Sequence, residues 1–113
     1  DNQLTTLGVI NNKNLEIFAF HKNEIEEINI TNSHLLLELF CEHNYLSELD
    51  VSQNPNLEFL YIRSNNIVDL DISLNLNLID FRCDNNQLIN LNAKNGNNSK
   101  MNAFYSYNNP NLN

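Results

Sequence analysis

Residues Leu57–Ile67 read LEFLYIRSNNI. The string has the form LxxLxLxxNxL, with apolar side chains at places one, four, six and eleven and an asparagine at place nine. One period earlier the chain reads LLELFCEHNYL over Leu36–Leu46, and one period before that LEIFAFHKNEI over Leu15–Ile25. One period later it reads LIDFRCDNNQL over Leu78–Leu88, and a fifth copy, MNAFYSYNNPN, follows from Met101 after a slightly longer interval. The connecting segments repeat in the same frame: LSELDVSQNPN from Leu46 aligns with IVDLDISLNLN from Ile67. LTTLGVINNKN from Leu4 and IEEINITNSHL from Ile25 fit it too, and the extra length of the last link lies near Gly96 and Asn97. A constant period held over nearly the whole chain is the signature of a stacked repeat architecture.

These residues resemble the leucine-rich-repeat family, in the short bacterial form of internalin J-like, secreted surface proteins. The segments LDVSQNPNLEFL and LDISLNLNLIDF carry the resemblance, and Cys41 and Cys83 at the sixth place are similar to that subtype. A full cysteine column would also need Cys at the places held by Phe20, Ile62 and Ser106. The resemblance implies a right-handed solenoid with a concave parallel sheet of about five strands, one per consensus segment (15–25, 36–46, 57–67, 78–88 and 101–111). It implies one leucine-rich-repeat domain over 1–113, secreted or displayed on a cell surface, that binds a ligand on the concave sheet without catalysis.

Strand alternation places the fourth and sixth residues of each copy inward and the third, fifth and seventh outward. The inward columns are then Phe18, Leu39, Leu60, Phe81 and Phe104, and Phe20, Cys41, Ile62, Cys83 and Ser106. The links add Leu7, Ile28, Leu49, Leu70 and Leu91 to the core. Each buried side chain of this size contributes about 1.5–3 kcal/mol before entropy is subtracted, and no turn buries enough alone, so neighbours must stack. The links are too short for a long helix. Their β-branched alternation predicts short extended or turn-like segments and little helix.

Asparagine is the commonest residue of the chain, which is unusual for an ordinary fold. Asn23, Asn44, Asn65, Asn86 and Asn109 occupy the ninth place, where the chain leaves the strand. An inward amide there offers both a donor and an acceptor to backbone groups that have no sheet partner. A second polar column, Asn12, Ser33, Asn54 and Asn75, is expected to serve the opposite bend.

The net charge of -8 argues against nucleic acid and anionic membrane surfaces as partners. No apolar run reaches transmembrane length, and the start at Asp1 reads as a processed or excised segment. Cys41 and Cys83 lie two rungs apart in one column, roughly 10 Å at about 4.8 Å per rung. That exceeds the reach of a disulfide, so both are expected as free, buried thiols. Stacked Glu27, Glu48 and Asp69, with Asp50 and Asp71 nearby, raise weak calcium binding, but no loop supplies a compact oxygen cage. The histidines form no metal or catalytic constellation, and Asp80 and Asp84 read as open and hydrated. No cofactor, metal ligand or catalytic residue is expected.

The candidate ligand face is therefore the outward sheet surface: Phe40, Glu42, Phe59, Tyr61, Arg63, Arg82, Asp84, Tyr105 and Tyr107. Phe40, Phe59 and Tyr61 are expected to sit together as an exposed cluster of the kind that anchors interfaces, with Glu42, Arg63 and Asp84 as an alternating charge ladder. The functional expectation is a recognition module for protein or glycan. The alternative is a structural spacer, or part of a longer array, with no ligand of its own. An N-terminal rung open to water would invite self-association, with better termination at Pro110.

Overall fold

The computed structural model describes residues 2–96 and 98–112. The elements in order are β1 (Ile17–Ala19), β2 (Glu38–Phe40), β3 (Phe59–Tyr61), β4 (Asp69–Asp71), β5 (Asp80–Arg82), β6 (Asn90–Asn92), a 3-10 turn (Asn98–Lys100) and β7 (Ala103–Tyr105). The chain is a parallel-strand solenoid. Its main sheet has the order β1-β2-β3-β5-β7, and a second sheet pairs β4 with β6. Among the described residues the single 3-10 turn is the whole helical content.

The period sets the register. Leu39 pairs with Phe18, Leu60 with Leu39, and Phe81 with Leu60, each one repeat apart, so like places lie over one another. Phe81 then pairs with Phe104 across the longer last link, in the same register. The extra length is taken up outside the sheet, beside Gly96 at φ 70° and the 3-10 turn. Only a residue without a Cβ enters that left-handed region at little cost.

The core is continuous through the middle rungs. Leu39, Leu60, Phe81, Cys41, Ile62 and Cys83 are fully buried, as are Leu36, Leu57, Ile67 and Ile72. Phe104 departs from its column. It stacks on Phe81 at 5.4 Å, but 48% of its surface is exposed, since β7 is the edge strand of the sheet among the described residues. At the other end Phe18 and Phe20 are buried. Residues before β1 drape over that end, with Asn2 N–H donating to Lys22 O and Glu24 N–H to Leu4 O. The expectation that the first rung is the open one and the last the better closed is thus reversed for the core layer.

The place-nine column runs along the solenoid, and the second column is buried at Ser33, Asn54 and Asn75 but not at Asn12, which is exposed at the edge. Asn65 Nδ2 donates to Ile62 O in its own rung and to Cys41 O in the rung before, both at 3.0 Å, while its Oδ1 accepts from Leu46 N–H at 3.0 Å. Asn44, Asn86 and Asn109 repeat the pattern. Asn23, at the edge, bonds Phe20 O within its own rung and receives Leu4 N–H at 3.4 Å. At the opposite bend Asn54 donates to Ile30 O and Ser33 O, and Asn75 to Val51 O and Asn54 O.

The residue before each ladder asparagine adopts a left-handed conformation: Lys22, His43, Ser64, Asn85 and Asn108 all have φ between 54° and 57°. The strand alternation, extended one place further, would turn this position inward; the left-handed bend instead leaves Lys22 and His43 exposed and Ser64 and Asn85 half-buried. A non-glycine residue there is strained by roughly 1–2 kcal/mol, and asparagine tolerates it best. The bend that lets the next side chain turn inward sets this conformation, and each ladder amide restrains it.

On the link side, among the described residues, extended segments form a ladder only where β4 meets β6. Asn90 Nδ2 donates to Asp69 Oδ1 at 2.6 Å and Asn92 Nδ2 to Asp71 Oδ2 at 3.0 Å. One repeat earlier the equivalent residues are Glu48 and Asp50, which set like charge beside Asp69 and Asp71. Facing amides and carboxylates favour pairing, and facing carboxylates oppose it.

Candidate functional site

The outward face of the five-stranded sheet is organised by its middle row. Ala19, Phe40, Tyr61, Arg82 and Tyr105 are mutually paired on successive strands. The Phe40 and Tyr61 rings meet at 4.9 Å, tilted by 55°. The Arg82 guanidinium lies 4.3 Å from the Tyr61 ring centre and 5.4 Å from that of Tyr105. Tyr107 meets Tyr105 edge to face at 6.4 Å. Four adjacent strands thus carry one stack of rings with a cation inside it.

Asp80 locks the stack. Its Oδ1 accepts from Arg82 Nε at 3.0 Å and its Oδ2 from Arg82 Nη2 at 2.8 Å, a bidentate pair. Tyr61 Oη also donates to Asp80 Oδ2 at 2.8 Å. The Arg82 hydrogen bonds hold the Asp80 carboxyl below its ordinary range, and Asp80 in turn raises Arg82. Burial, with the Asp80 hydrogen bond and charge, raises Tyr61. All three groups keep fixed protonation states near neutral pH, so the stack is a rigid feature with no proton to exchange.

Several sequence expectations change at this face. Phe59 is half-buried, but its strand partners are Glu38 and Asp80, and it takes no part in the ring stack of Phe40 and Tyr61. Asp84 is only 1% exposed, not open and hydrated. It accepts from Asn85 Nδ2 at 2.6 Å and pairs with Arg63 Nε at 3.4 Å. The charge ladder stops there: among the described residues neither Glu42 nor Glu38 enters an ion pair, and Glu42 Oε2 is buried without a hydrogen-bond donor. Tyr105 and Tyr107 remain exposed, at 44% and 51%. The Arg82–Asp80 clamp joins places three and five of one strand, so pairing charges along single columns does not find it.

The link side carries an open groove of about 1000 Å³ lined by Leu7, Ile28 and Leu49 with Glu27, Glu48 and Asp69 beside them. Asp50 and Asp71 cap local turns there, accepting from Ser52 N–H and Ser73 N–H, and hydrogen bonds from the Ser52 and Ser73 side chains, then from these N–H groups, lower both carboxyls. Among the described residues no three His, Cys, Asp or Glu side chains converge as a metal site, and no helix is long and apolar enough to cross a membrane.

Cys41 and Cys83 are free and buried, with Ile62 between them in the column. Burial pushes the Cys83 thiol up to about 12, and Cys41 higher still. Reactivity belongs to the thiolate. At about pH 8, where an exposed thiol is already partly ionised, both should resist an aromatic disulfide reagent in the folded chain and react fully in denaturant, read by absorbance. Fast reaction of either in the native state would contradict the assigned burial.

No protein-family model matches the chain, and no curated protein does. Among solved structures it is similar to the functional domain of InlJ from Listeria monocytogenes, which includes a cysteine ladder, with a TM-score of 0.81 at 23% sequence identity. The match covers 96% of this chain and 28% of that one, so the chain spans less than a third of that relative. The likeness establishes a leucine-rich-repeat-like solenoid fold. Cysteine occupies two rungs of the column in this chain.

Proposed function

We propose that the chain is a non-catalytic recognition module of a secreted or cell-surface protein, binding a protein or glycan ligand on the outer face of its five-stranded sheet. The observation that carries this reading is the prebuilt row Phe40–Tyr61–Arg82–Tyr105, held in place by Asp80. Aromatic and arginine side chains ordered before binding lose little entropy when a partner arrives, and such residues dominate interface energetics. Glu42, Phe59, Arg63 and Tyr107 complete the surface, and the buried Asp84 lies beneath it, paired with Arg63. The extracellular placement rests on the resemblance of the repeats to those of secreted surface proteins. The absence of catalysis is supported by the inert thiols and the clamped carboxylate.

The test is a triple change of Phe40, Phe59 and Tyr61 to serine, with the labelled chain applied to a glycan array and to immobilised extracellular proteins. Loss of at least tenfold in affinity is expected for whichever ligand the unaltered chain captures, with native circular dichroism retained. Retention of that binding by the triple variant would sink the reading. A chain that captures nothing in either form is a spacer.

A further inference from the structure

The middle row of the sheet has a vacant place. Phe40, Tyr61, Arg82 and Tyr105 form a continuous stack, but the first member of the row is Ala19. Ala19 is exposed and ends at its Cβ. One side of the Phe40 ring is engaged by Tyr61, and the residue paired with Phe40 on the β1 side is Ala19, between exposed Ile17 and His21. Neighbouring strands stand about 4.8 Å apart, so the missing side chain leaves a notch about as wide as one planar group.

The surroundings of the notch select a charge. Glu38 lies two residues before Phe40 on β2 and Glu42 two residues after it, just past the strand, and neither forms an ion pair among the described residues. Glu42 also has an oxygen without a donor, so its carboxylate is only partly satisfied. Arg82 is clamped by Asp80, and Arg63 is paired with Asp84 at 3.4 Å, its Nε making no hydrogen bond. The chain itself shows what such a place accepts. Arg82 is the residue equivalent to Ala19, three repeats on, and its guanidinium lies against the Tyr61 ring with a carboxylate as counter-ion.

We infer that the notch over Ala19 binds an arginine side chain of a protein partner, stacked on Phe40 and neutralised by Glu38 and Glu42 as Arg82 is by Asp80. This rests on the reading of the sheet as the ligand face and narrows it: the partner is a protein presenting a cation, not a neutral or anionic glycan. A cation on an aromatic face with a nearby carboxylate gains from both, and the net charge of -8 steers such a partner inward.

The experiment uses the 15N-labelled chain and two probes, acetyl-Gly-Arg-Gly-amide and the peptide with neutral citrulline in place of arginine. Saturable amide shifts are expected around Ala19 and Phe40 with the arginine peptide, with at least tenfold weaker response to citrulline. Glu38→Gln with Glu42→Gln should weaken arginine binding about fivefold or more. Ala19→Arg fills the notch from within the chain and should abolish it, with native shifts elsewhere confirming the fold. Equal response to both peptides, or an unaltered titration in either variant, overturns the proposal. These peptides read the notch without the natural partner. Shifts there alongside array binding that survives the triple serine change would leave the notch standing and sink the broader reading. No shifts, with array binding lost in the triple variant, would do the reverse.

Discussion

Asn65→Ala is expected to destabilise the chain by about 3 kcal/mol or more, read as a large fall in the urea midpoint. Three partners lose the amide at once: the carbonyls of Cys41 and Ile62, and the N–H of Leu46. Asn65 is 5% exposed, so water does not replace it without structural opening. Each buried backbone group left unpaired costs about 1–3 kcal/mol, and the amide also restrains Ser64 in its left-handed bend. Asn65→Asp keeps an acceptor for Leu46 N–H but loses both donated bonds and buries a charge, so it should be no milder at neutral pH. Asn23→Ala should be distinctly milder, because Asn23 makes its donated bonds within its own rung and sits at the edge. A midpoint for Asn65→Ala within error of the unaltered chain would refute the structural role of the ladder.

Phe81→Ala is expected to cost about 3–5 kcal/mol, the range for emptying a large aromatic site that cannot collapse. Phe81 is fully buried between Leu60 and Phe104 in the column. Phe104→Ala removes the same atoms from the equivalent place of the next rung, yet 48% of that side chain is already in water. It should cost less than half as much. The comparison holds residue type and column constant and varies only the presence of a covering rung. Equal losses in paired thermal melts would mean that burial in this column is not what stabilises it. In a solenoid each rung touches only its neighbours, so a central loss uncouples two stacks whereas a terminal one frays a single end.

Much of this was legible in the chain. The spacing of Leu39, Leu60 and Phe81 specifies the strands, their parallel order and their register, because a side chain repeated at constant interval must superpose when the backbone coils. The asparagines at place nine signal a buried polar column, since one recurs at the same bend of each repeat, where backbone groups lack sheet partners. The link strands are less legible. Whether Asp69–Asp71 pairs depends on whether amide or carboxylate stands opposite, so β4 joins β6 and no earlier segment.

The face is legible as a set of columns but not as a set of contacts. Phe40, Tyr61, Arg82 and Tyr105 can be assigned to one row, yet their joining depends on side-chain direction. Arg82 turns back to Asp80 on its own strand and so enters between two tyrosine rings. Phe59 is close to Phe40 and Tyr61 in the repeat, but it occupies the row beside theirs. The place of Asp84 faces outward, which implies hydration, but Arg63 and Asn85 cover it.

The repeat pattern is enough to specify the solenoid, its register and its inward columns, because these follow from a period that every repeat restates. Only the folded arrangement settles which outward side chains clasp one another, that Asp84 is buried, and that Phe104 lies half in water. Those outcomes depend on the particular neighbour across each strand and on whether a neighbour exists at all, and a repeat consensus specifies neither.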